Sequence, residues 1–484
     1  MKIQKKSQNE NGITLIALVI TIIVLLILAG VSISMLSGDN SILKQATNAG
    51  EKTENASIDE RIKIINAEAL TEGKGILTFE NLKNILDKEF GDNYEITGDS
   101  SSEKWVVTII DPNREYTFTR TGTIKEFVQI ASTNQTKPFL PEGAYITNNS
   151  LSTGLTIKDA NDNEWVWIEV PKSITEGKDT EDQIKTALVN YTKNDKSGAA
   201  FINRGNYVDK WFALDGETLI TEDTQGLTDE QKALDNGCGL NWEEYRAKRK
   251  AMYESIQKYG GFYIGKYEVG IQSGESGREN GDAIVTTLYP ATQTPKVQAD
   301  LIPYNWIRCQ QAEDLSESLN PGKKSDGEDT TSSLMFGIQW DLVMRYLNEK
   351  GVKTTAELKT DSTNWGVYNN NKTSENTALT VISDKAQKTE NNGRTWSSIA
   401  KNTIKSKTML LTTGAIKEAK TLNIYDLAGN VWEWTLEKSP NINTPCVHRG
   451  GGFSVEGYNY TAATRHYHTI NDTLHRYGFR ATLY

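Results

Sequence analysis

The histidines are the most distinctive chemical groups of this chain, because all four lie between residues 448 and 475 of a 484-residue sequence. His466 and His468 are two residues apart, a spacing that places both side chains on one face of a strand. With His475 as a third ligand, these side chains form one candidate metal site. No cysteine lies close to them in the pattern, and no residue that would orient metal-bound rings is evident from the sequence.

The same segment is rich in tyrosine and asparagine, which favours a ligand-binding surface over a metal centre. Tyrosine supplies a wide contact area at low entropy cost, and asparagine supplies hydrogen bonds. So many polar aromatic side chains in one segment are not typical of a folded core. The predicted ligand-binding residues are Tyr458, Asn459, Tyr460, His466, Tyr467, His468, Asn471, Asp472, His475 and Tyr477.

Three blocks of sequence must position this segment. They are YGGFYIGKYEV at 259–269, NIYDLAGNVWEWT at 423–435, and RGGGF at 449–453 with GFR at 478–480. Together they resemble the formylglycine-generating enzymes, also called sulfatase-modifying factors, with weaker support from WVW at 165–167 and GIQW at 337–340. The resemblance spans residues 144–484. It implies an irregular α+β fold related to that of C-type lectins.

The second and third blocks contain residues with a predicted structural role. Asn430 and Glu433 offer oxygen ligands, and the resemblance implies a structural calcium ion in their neighbourhood. Hydrogen bonding to loop backbone is the alternative, because two oxygens fall short of the ~6 that calcium takes. Arg449 and Arg480 are interpreted as members of buried ion pairs or as partners of backbone groups.

The cysteines argue against the chemistry of the family. Its enzymes oxidise a substrate cysteine with two thiolates that bind copper, located about six and about eleven residues after the arginine of the third block. Here residues 454–460 read SVEGYNY, and Cys446 precedes Arg449. Without these thiolates there is no copper ligand pair and no nucleophile, so formylglycine formation is predicted to be absent. Cys238, Cys309 and Cys446 show no metal-ligand spacing, and their pairing is left open.

The segment 449–484 also resembles the variable region of proteins that are diversified by retroelements, which commonly use this lectin-like fold. Mutation of adenines in asparagine codons yields Tyr, His, Asp, Ser or Asn, much the set found here. The resemblance implies that the blocks 449–453 and 478–480 stay fixed while the residues between them vary.

At the other end of the chain, residues 13–36 contain no charged side chain, and a helix of this length spans the hydrocarbon core of a bilayer. Gly12 and Ile13 resemble the junction of type IV prepilins, in which a membrane peptidase cuts after the glycine and the new terminus is N-methylated. Ala17 stands where that family has glutamate, so filament assembly is left open. A plain N-terminal anchor is the alternative.

The organisation that follows is multidomain α+β. We predict a leader at 1–12, a transmembrane helix at 13–36, its amphipathic continuation at 37–75, a small pilin-like globular part with an antiparallel sheet at 76–130, a linker at 131–143 and the lectin-like domain at 144–484. Helices are predicted at 79–90, 242–259 and 340–350, and strands at 104–110 and 115–119. The net charge of -10 argues against a nucleic-acid surface.

These features predict a pilin-like protein at the bacterial cell surface, anchored in the membrane with its C-terminus outside. Its lectin-like module binds an unidentified glycan or protein ligand. The resemblance implies a prepilin peptidase, the pilus-type assembly machinery and other pilins as partners. Two alternatives are an exported enzyme of the sulfatase-modifying factor group with altered chemistry, and a structural minor pilin.

Overall fold

The computed structural model of this protein describes residues 58, 60–110, 114–122, 124–127, 130–171, 211–212, 219–220, 237–278, 290–371, 379–390, 395–403, 408–439 and 443–484. The chain divides into two compact units, residues 1–129 and 130–484. The predicted processing junction at Gly12 and Ile13 and the predicted membrane helix 13–36 lie outside the described residues. Among the helices that are described, none combines the length and the apolar character that a bilayer crossing requires.

The first unit combines two helices with a four-stranded antiparallel sheet. Helix α1 covers residues 60–72, and α2 is Phe79–Phe90, the helix that the sequence predicted. The sheet has the order β1-β2-β3-β4, with β1 Tyr94–Thr97, β2 Lys104–Ile109, β3 Arg114–Thr119 and β4 Ile124–Phe127. The core joins apolar side chains of both helices to the inner face of the sheet, among them Ile62, Ile65, Leu82, Leu86 and Trp105.

The second unit is built around a six-stranded antiparallel sheet with the order β13-β23-β10-β7-β6-β5. Its strands are β5 Tyr145–Asn148, β6 Thr156–Lys158, β7 Glu164–Glu169, β10 Gly261–Gly265, β13 Ser332–Leu334 and β23 Ala481–Leu483. The last strand of the chain, which directly follows the GFR motif at 478–480, therefore pairs with the YGGFYIG block. This mixture of helices and antiparallel strands agrees with the predicted class.

The described part of the second unit contains four helices: α3 Trp242–Tyr259, α4 Cys309–Ser318, α5 Gly337–Glu349 and α6 Thr355–Lys359, with a 3-10 turn at Thr363–Trp365. Helix α3 has the predicted bounds because Asn241 and Glu244 form a reciprocal capping box and Gly260, at φ 75°, ends the helix. Helix α5 begins three residues before the prediction. The reason is that the side chain of Gln339 accepts a hydrogen bond from the backbone of Phe336 at 2.9 Å.

Short strand pairs make up much of the remainder. They are β8 Trp211–Phe212 with β9 Leu219–Ile220, β11 Gly270–Ile271 with β12 Pro295–Lys296, β14 Gln387–Thr389 with β15 Ser397–Ser398 and β16 Leu410–Leu411, and β17 Lys420–Thr421 with β18 Ile424–Tyr425. A second four-stranded sheet has the order β21-β20-β19-β22. Its strands are β19 Trp432–Lys438, β20 Cys446–Arg449, β21 Arg465–His468 and β22 Tyr477–Phe479.

The segment 131–143 is packed into the second unit, which corrects the prediction of a linker. It is irregular, as its prolines suggested, but Thr136 and Phe139 are buried. Phe139 packs edge-on against Trp167 and Tyr263 at ring distances of 5.9 and 5.2 Å. An apolar ring that fits between two buried aromatic residues holds its backbone in place, and the polar composition of the segment hid this contact.

The three cysteines are buried, and none forms a disulfide. The Sγ atoms of Cys238 and Cys309 lie 2.8 Å apart, whereas Cys446 Sγ donates to the carbonyl of Gly237 at 3.5 Å. Burial, followed by the neighbouring thiols, raises the pKa of Cys309 well above its usual value. The thiols of Cys238 and Cys309 are therefore in direct contact, in an environment that disfavours the reactive thiolate.

We predict that prolonged incubation with glutathione disulfide joins Cys238 to Cys309, with two glutathione molecules released, and leaves Cys446 as a thiol. Peptide mapping by mass spectrometry identifies the linkage. The Cys446→Ser variant is the matched control and should give the same cross-link. A disulfide that includes Cys446 would contradict the arrangement of the three sulfur atoms.

Candidate functional site

The second four-stranded sheet presents two different chemical environments on its two faces. Side chains alternate between the faces along each strand. His448 is paired with His466 across β20 and β21, so these rings share one face. Arg449 is paired with Arg465 on β21 and with Glu433 on β19, so these three side chains share the other face. Histidine therefore lies on one side of the sheet and buried charge on the other.

Three histidines converge on the first face, and we call His448, His466 and His468 the histidine cluster. Nε2 of His448 lies 3.0 Å from Nδ1 of His466, which in turn lies 3.0 Å from Nε2 of His468. All three atoms lie within 4.8 Å of one another. Nitrogen atoms at these separations can share protons or bind one cation together.

Neighbouring side chains fix the orientation of the cluster. Nδ1 of His468 is 2.6 Å from Oδ2 of Asp472, and the Tyr477 hydroxyl is 3.1 Å from Nε2 of His468. Trp432 and Trp434 stack on the ring of His448 at centroid distances of 4.3 and 5.2 Å. The rings are therefore held by hydrogen bonds on one side and by aromatic packing on the other.

The cluster favours uncharged imidazoles. Burial, together with the neighbouring histidines, holds the pKa of His448 well below its usual value. Burial and His468 lower the pKa of His466 to about 3. Burial opposes ionisation of Asp472, but hydrogen bonds from His468 and Thr469 outweigh it and lower the pKa of this carboxyl group. The site thus combines two rings that favour the neutral form, those of His448 and His466, with a carboxylate.

The structure brings together some of the predicted residues and separates one of them. Four of them are in contact at the histidine cluster: His466, His468, Asp472 and Tyr477. Tyr477 is buried rather than exposed. His475 lies beyond the turn that follows β21, and its ring packs 5.6 Å from that of Trp306. The third ring of the cluster is therefore that of His448, which corrects the predicted combination with His475.

The remaining predicted residues lie between 458 and 471 and differ in exposure and contacts. Tyr458 is exposed, with 40% of its surface accessible. Tyr460 packs edge-on against Trp432 at 5.5 Å. Asn459 donates to the carboxylate of Glu456 at 2.7 Å. Tyr467 and Asn471 are half-buried.

Sequence reasoning missed the contribution of the β19 tryptophans and of His448 to this site. The signal was the pattern WEW at 432–434 together with HR at 448–449. In a strand, this alternation separates aromatic and histidine side chains from Glu433 and Arg449. The register between strands, which the sequence does not contain, decides which of these side chains meet.

The opposite face carries a buried ring of ion pairs, which we call the ion-pair ring: Arg449, Arg465, Asp341 and Glu437. Arg449 contacts Asp341 at 3.0 Å and Glu437 at 2.9 Å, while Arg465 contacts the same two carboxylates at 2.6 and 2.5 Å. All four side chains are fully buried. The predicted structural role of Arg449 is confirmed.

Arg480 also has the predicted structural role, since its guanidinium contacts Glu433 at 2.7 Å and the carbonyl of Gly265 at 2.9 Å. Both carboxylate oxygens of Glu433 accept hydrogen bonds from Arg480. Oδ1 of Asn430 accepts a hydrogen bond from the backbone of Leu411 at 3.1 Å. Calcium binding at Asn430 and Glu433 stays a prediction, and these contacts do not favour it.

Comparison with known proteins identifies one family. The model of the sulfatase-modifying factor enzyme 1-like domain matches residues 231–483, which include both faces of the second sheet and the histidine cluster. No curated protein and no solved structure matches the chain. Through this match, which covers more than half of its length, the chain belongs to the sulfatase-modifying factor enzyme 1-like family.

Proposed function

We propose that the family domain is a ligand-binding module rather than a formylglycine-generating enzyme. The observation that carries this proposal is the arrangement of residues 455–475, where aromatic and polar side chains are partly exposed above a sheet whose other face is held by the ion-pair ring. In the described part of the second unit, Tyr458 and Ile470 are two of four large hydrophobic side chains that are exposed. An adaptable surface on a rigid scaffold is typical of binding sites.

The cysteines support the same proposal. Val455 and Tyr460 occupy the positions about six and about eleven residues after Arg449, where the resemblance places the copper-binding thiolates of the enzymes. Neither side chain can supply a thiolate. Cys446, on β20, lies before the arginine and donates to the carbonyl of Gly237. We therefore propose that the oxidation of a substrate cysteine is absent.

We propose that the N-terminal segment displays this module at the bacterial cell surface. The uncharged residues 13–36 would anchor the chain, and Gly12 and Ile13 would be processed by a prepilin peptidase before contact with the pilus-type assembly machinery and other pilins. N-terminal sequencing of the native protein tests this step. N-methylated Ile13 supports it, and an intact Met1 contradicts it.

We further propose that residues 454–477 are diversified by a retroelement. The support is the abundance of Tyr, His, Asn, Asp and Ser between two fixed blocks of the family domain. Sequencing of the gene neighbourhood tests this proposal. A template repeat that differs only at adenines supports it, and a neighbourhood without such a repeat and without a reverse transcriptase contradicts it.

Ligand binding is tested with the full-length protein in detergent on arrays of glycans and of bacterial surface proteins. We expect Tyr458→Ala and Tyr460→Ala to weaken the strongest captured interaction about tenfold each, a loss of about 1.4 kcal/mol. Tyr145→Ala is the matched control, because Tyr145 is also exposed but lies on β5 of the other sheet. Equal losses of affinity in all three variants would contradict the assignment of residues 455–475 as the binding surface.

An enzyme with altered chemistry is the second candidate, and one observation favours it. The ring of Tyr460, at a position where the resemblance places a copper-binding thiolate, lies 6.3 Å from that of His466. The histidine cluster thus borders the region where the family performs its reaction. Turnover by the purified protein that is lost in His466→Gln and His468→Gln, and kept in Tyr458→Ala, would favour the enzyme over the binding module.

A further inference from the structure

We infer that His448, His466 and His468 form a binding site for a divalent transition-metal ion of the zinc class, with one coordination position left for water or a ligand. This inference does not depend on the proposed ligand-binding function, because the three rings can hold a metal whether or not residues 455–475 bind a partner. It differs from the site expected from sequence, which used His475.

The separations of the ring nitrogens fit one small cation. In a tetrahedral zinc site with Zn–N distances of about 2.0–2.1 Å, ligand nitrogens lie about 3.3 Å apart. His448 Nε2 and His466 Nδ1 are 3.0 Å apart, and so are His466 Nδ1 and His468 Nε2. The third pair lies within 4.8 Å. This pair has to close by at most about 1.5 Å to reach the separation of a tetrahedral site.

The hydrogen bonds leave nitrogen lone pairs directed at the same point. The carboxylate of Asp472 accepts a hydrogen bond from Nδ1 of His468, so in the neutral form of this ring the proton lies on Nδ1 and Nε2 is an acceptor. Nδ1 of His448 is buried without a hydrogen-bond partner, so the polar contact of this ring is made through Nε2. In the tautomers that keep each ring proton on the other nitrogen, the three facing nitrogens present lone pairs that a single cation satisfies.

The strands hold the ligands before any metal arrives. His448 and His466 are direct partners across β20 and β21, and His468 follows on the same face. The stacking of Trp432 and Trp434 on His448 restricts its rotation. Sites whose ligands come from strands and are held by packing are more precise than sites on loops.

The carboxylate of Asp472 gives His468 the partner that metal-bound histidines usually have. Such a carboxylate selects the tautomer and raises the basicity of the ligating nitrogen. The side chain of His468 is 19% exposed and that of Asp472 is 12% exposed, so water reaches this side of the cluster. Three protein ligands with an accessible fourth position are typical of reactive rather than purely structural zinc sites.

The test uses full-length protein in detergent, stripped with a chelator and titrated with Zn²⁺ and with Co²⁺ as a spectroscopic probe. We expect one ion per chain and the visible absorption of four-coordinate Co²⁺. His466→Gln and His468→Gln should weaken binding about 100-fold or more, and Asp472→Asn should weaken it about 10–100-fold. His475→Gln is the matched control and should bind like the unaltered protein.

Near-ultraviolet circular dichroism establishes that each variant is folded, and Asp472→Asn keeps the test decisive if a histidine variant is not. The inference is overturned if the folded protein binds no Co²⁺. It is also overturned if His475→Gln loses binding as strongly as His466→Gln, or if Asp472→Asn leaves the affinity unchanged. Binding to the arrays that persists in metal-free protein would support the proposed ligand-binding function, and the Co²⁺ titration alone decides the metal site.

Discussion

Replacement of Arg465 by methionine is expected to lower the free energy of unfolding of the second unit by about 3–5 kcal/mol. The guanidinium of Arg465 contacts Asp341 and Glu437 inside the ion-pair ring, at 2.6 and 2.5 Å. Without it, two buried carboxylates share the single positive charge of Arg449. Removal of one partner from a buried pair is costly because the remaining charge has already lost its hydration.

Urea unfolding followed by tryptophan fluorescence measures this change, because ten of the eleven tryptophans lie between residues 165 and 434. Lys258→Met is the matched control. Lys258 pairs with Asp326 at 3.1 Å, but its side chain is 47% exposed, so we expect a much smaller loss of stability than for Arg465→Met. Similar losses for the buried and the exposed pair would contradict the structural role of the ion-pair ring.

The ion-pair ring and the histidine cluster depend on the same two strands. Arg449 and His448 are neighbours on β20, and Arg465 and His466 are neighbours on β21. Their side chains point to opposite faces, so the charges that fix the position of each strand also fix the position of one imidazole. This coupling explains why the charged face matters for a site that it does not touch.

Local patterns in the sequence were sufficient for the regular elements. Apolar periodicity predicted α2 and α3 with the observed bounds, because this pattern is contained within a few residues. The same reasoning identified Arg449 and Arg480 as structural. The prediction of a linker at 131–143 was wrong, because the buried ring of Phe139 holds this polar segment against the second unit.

Long-range register was beyond the reach of these patterns. Asp341 lies 108 residues before Arg449, and no local signal connects them. The stretch 369–392 is polar in composition, which is typical of a surface loop. The structure buries Leu379 and Val381 of this stretch in a small core with Leu410. Such contacts depend on how distant segments pack, so the composition of either segment alone does not reveal them.

Replacement of Asp426 by asparagine is expected to stabilise the second unit at neutral pH. Asp426 is buried near Glu268 and Glu433, with Arg480 as the neighbouring positive charge. Burial raises the pKa of Asp426 from 3.8 to about 6, against the opposing effects of a hydrogen bond from Gly414 and of Arg480. Burial, followed by the neighbouring carboxylates, raises the pKa of Glu268 well above its usual value.

The sign of the pH dependence follows from these shifts. Between pH 3.8 and about 6 the folded state keeps a proton on Asp426 that the unfolded state has released. The free energy of unfolding therefore falls as the pH rises through this window, by about 3 kcal/mol in total for a shift of this size. Asparagine has no proton to lose, so this part of the pH dependence should disappear.

The local structure suits the substitution. Asp426 has φ 56°, in the left-handed region that asparagine tolerates better than most residues, and an asparagine oxygen can accept the Gly414 hydrogen bond, now 2.6 Å long. Glu433→Gln should have the opposite effect, because it removes the carboxylate that contacts Arg480. We expect that variant to lose about 3–5 kcal/mol at pH 7.

Unfolding in urea from pH 4 to pH 8, with a chelator present, measures both variants against the unaltered protein. A steeper fall of stability with pH in Asp426→Asn than in the unaltered protein would contradict the argument.

The same series with added Ca²⁺ decides the calcium prediction for Asn430 and Glu433. A cation bound among these carboxylates would stabilise their ionised forms, so calcium should then flatten the pH dependence of the unaltered protein and cancel the advantage of asparagine at position 426. Identical curves with and without Ca²⁺ would leave Arg480 as the positive charge that balances this cluster.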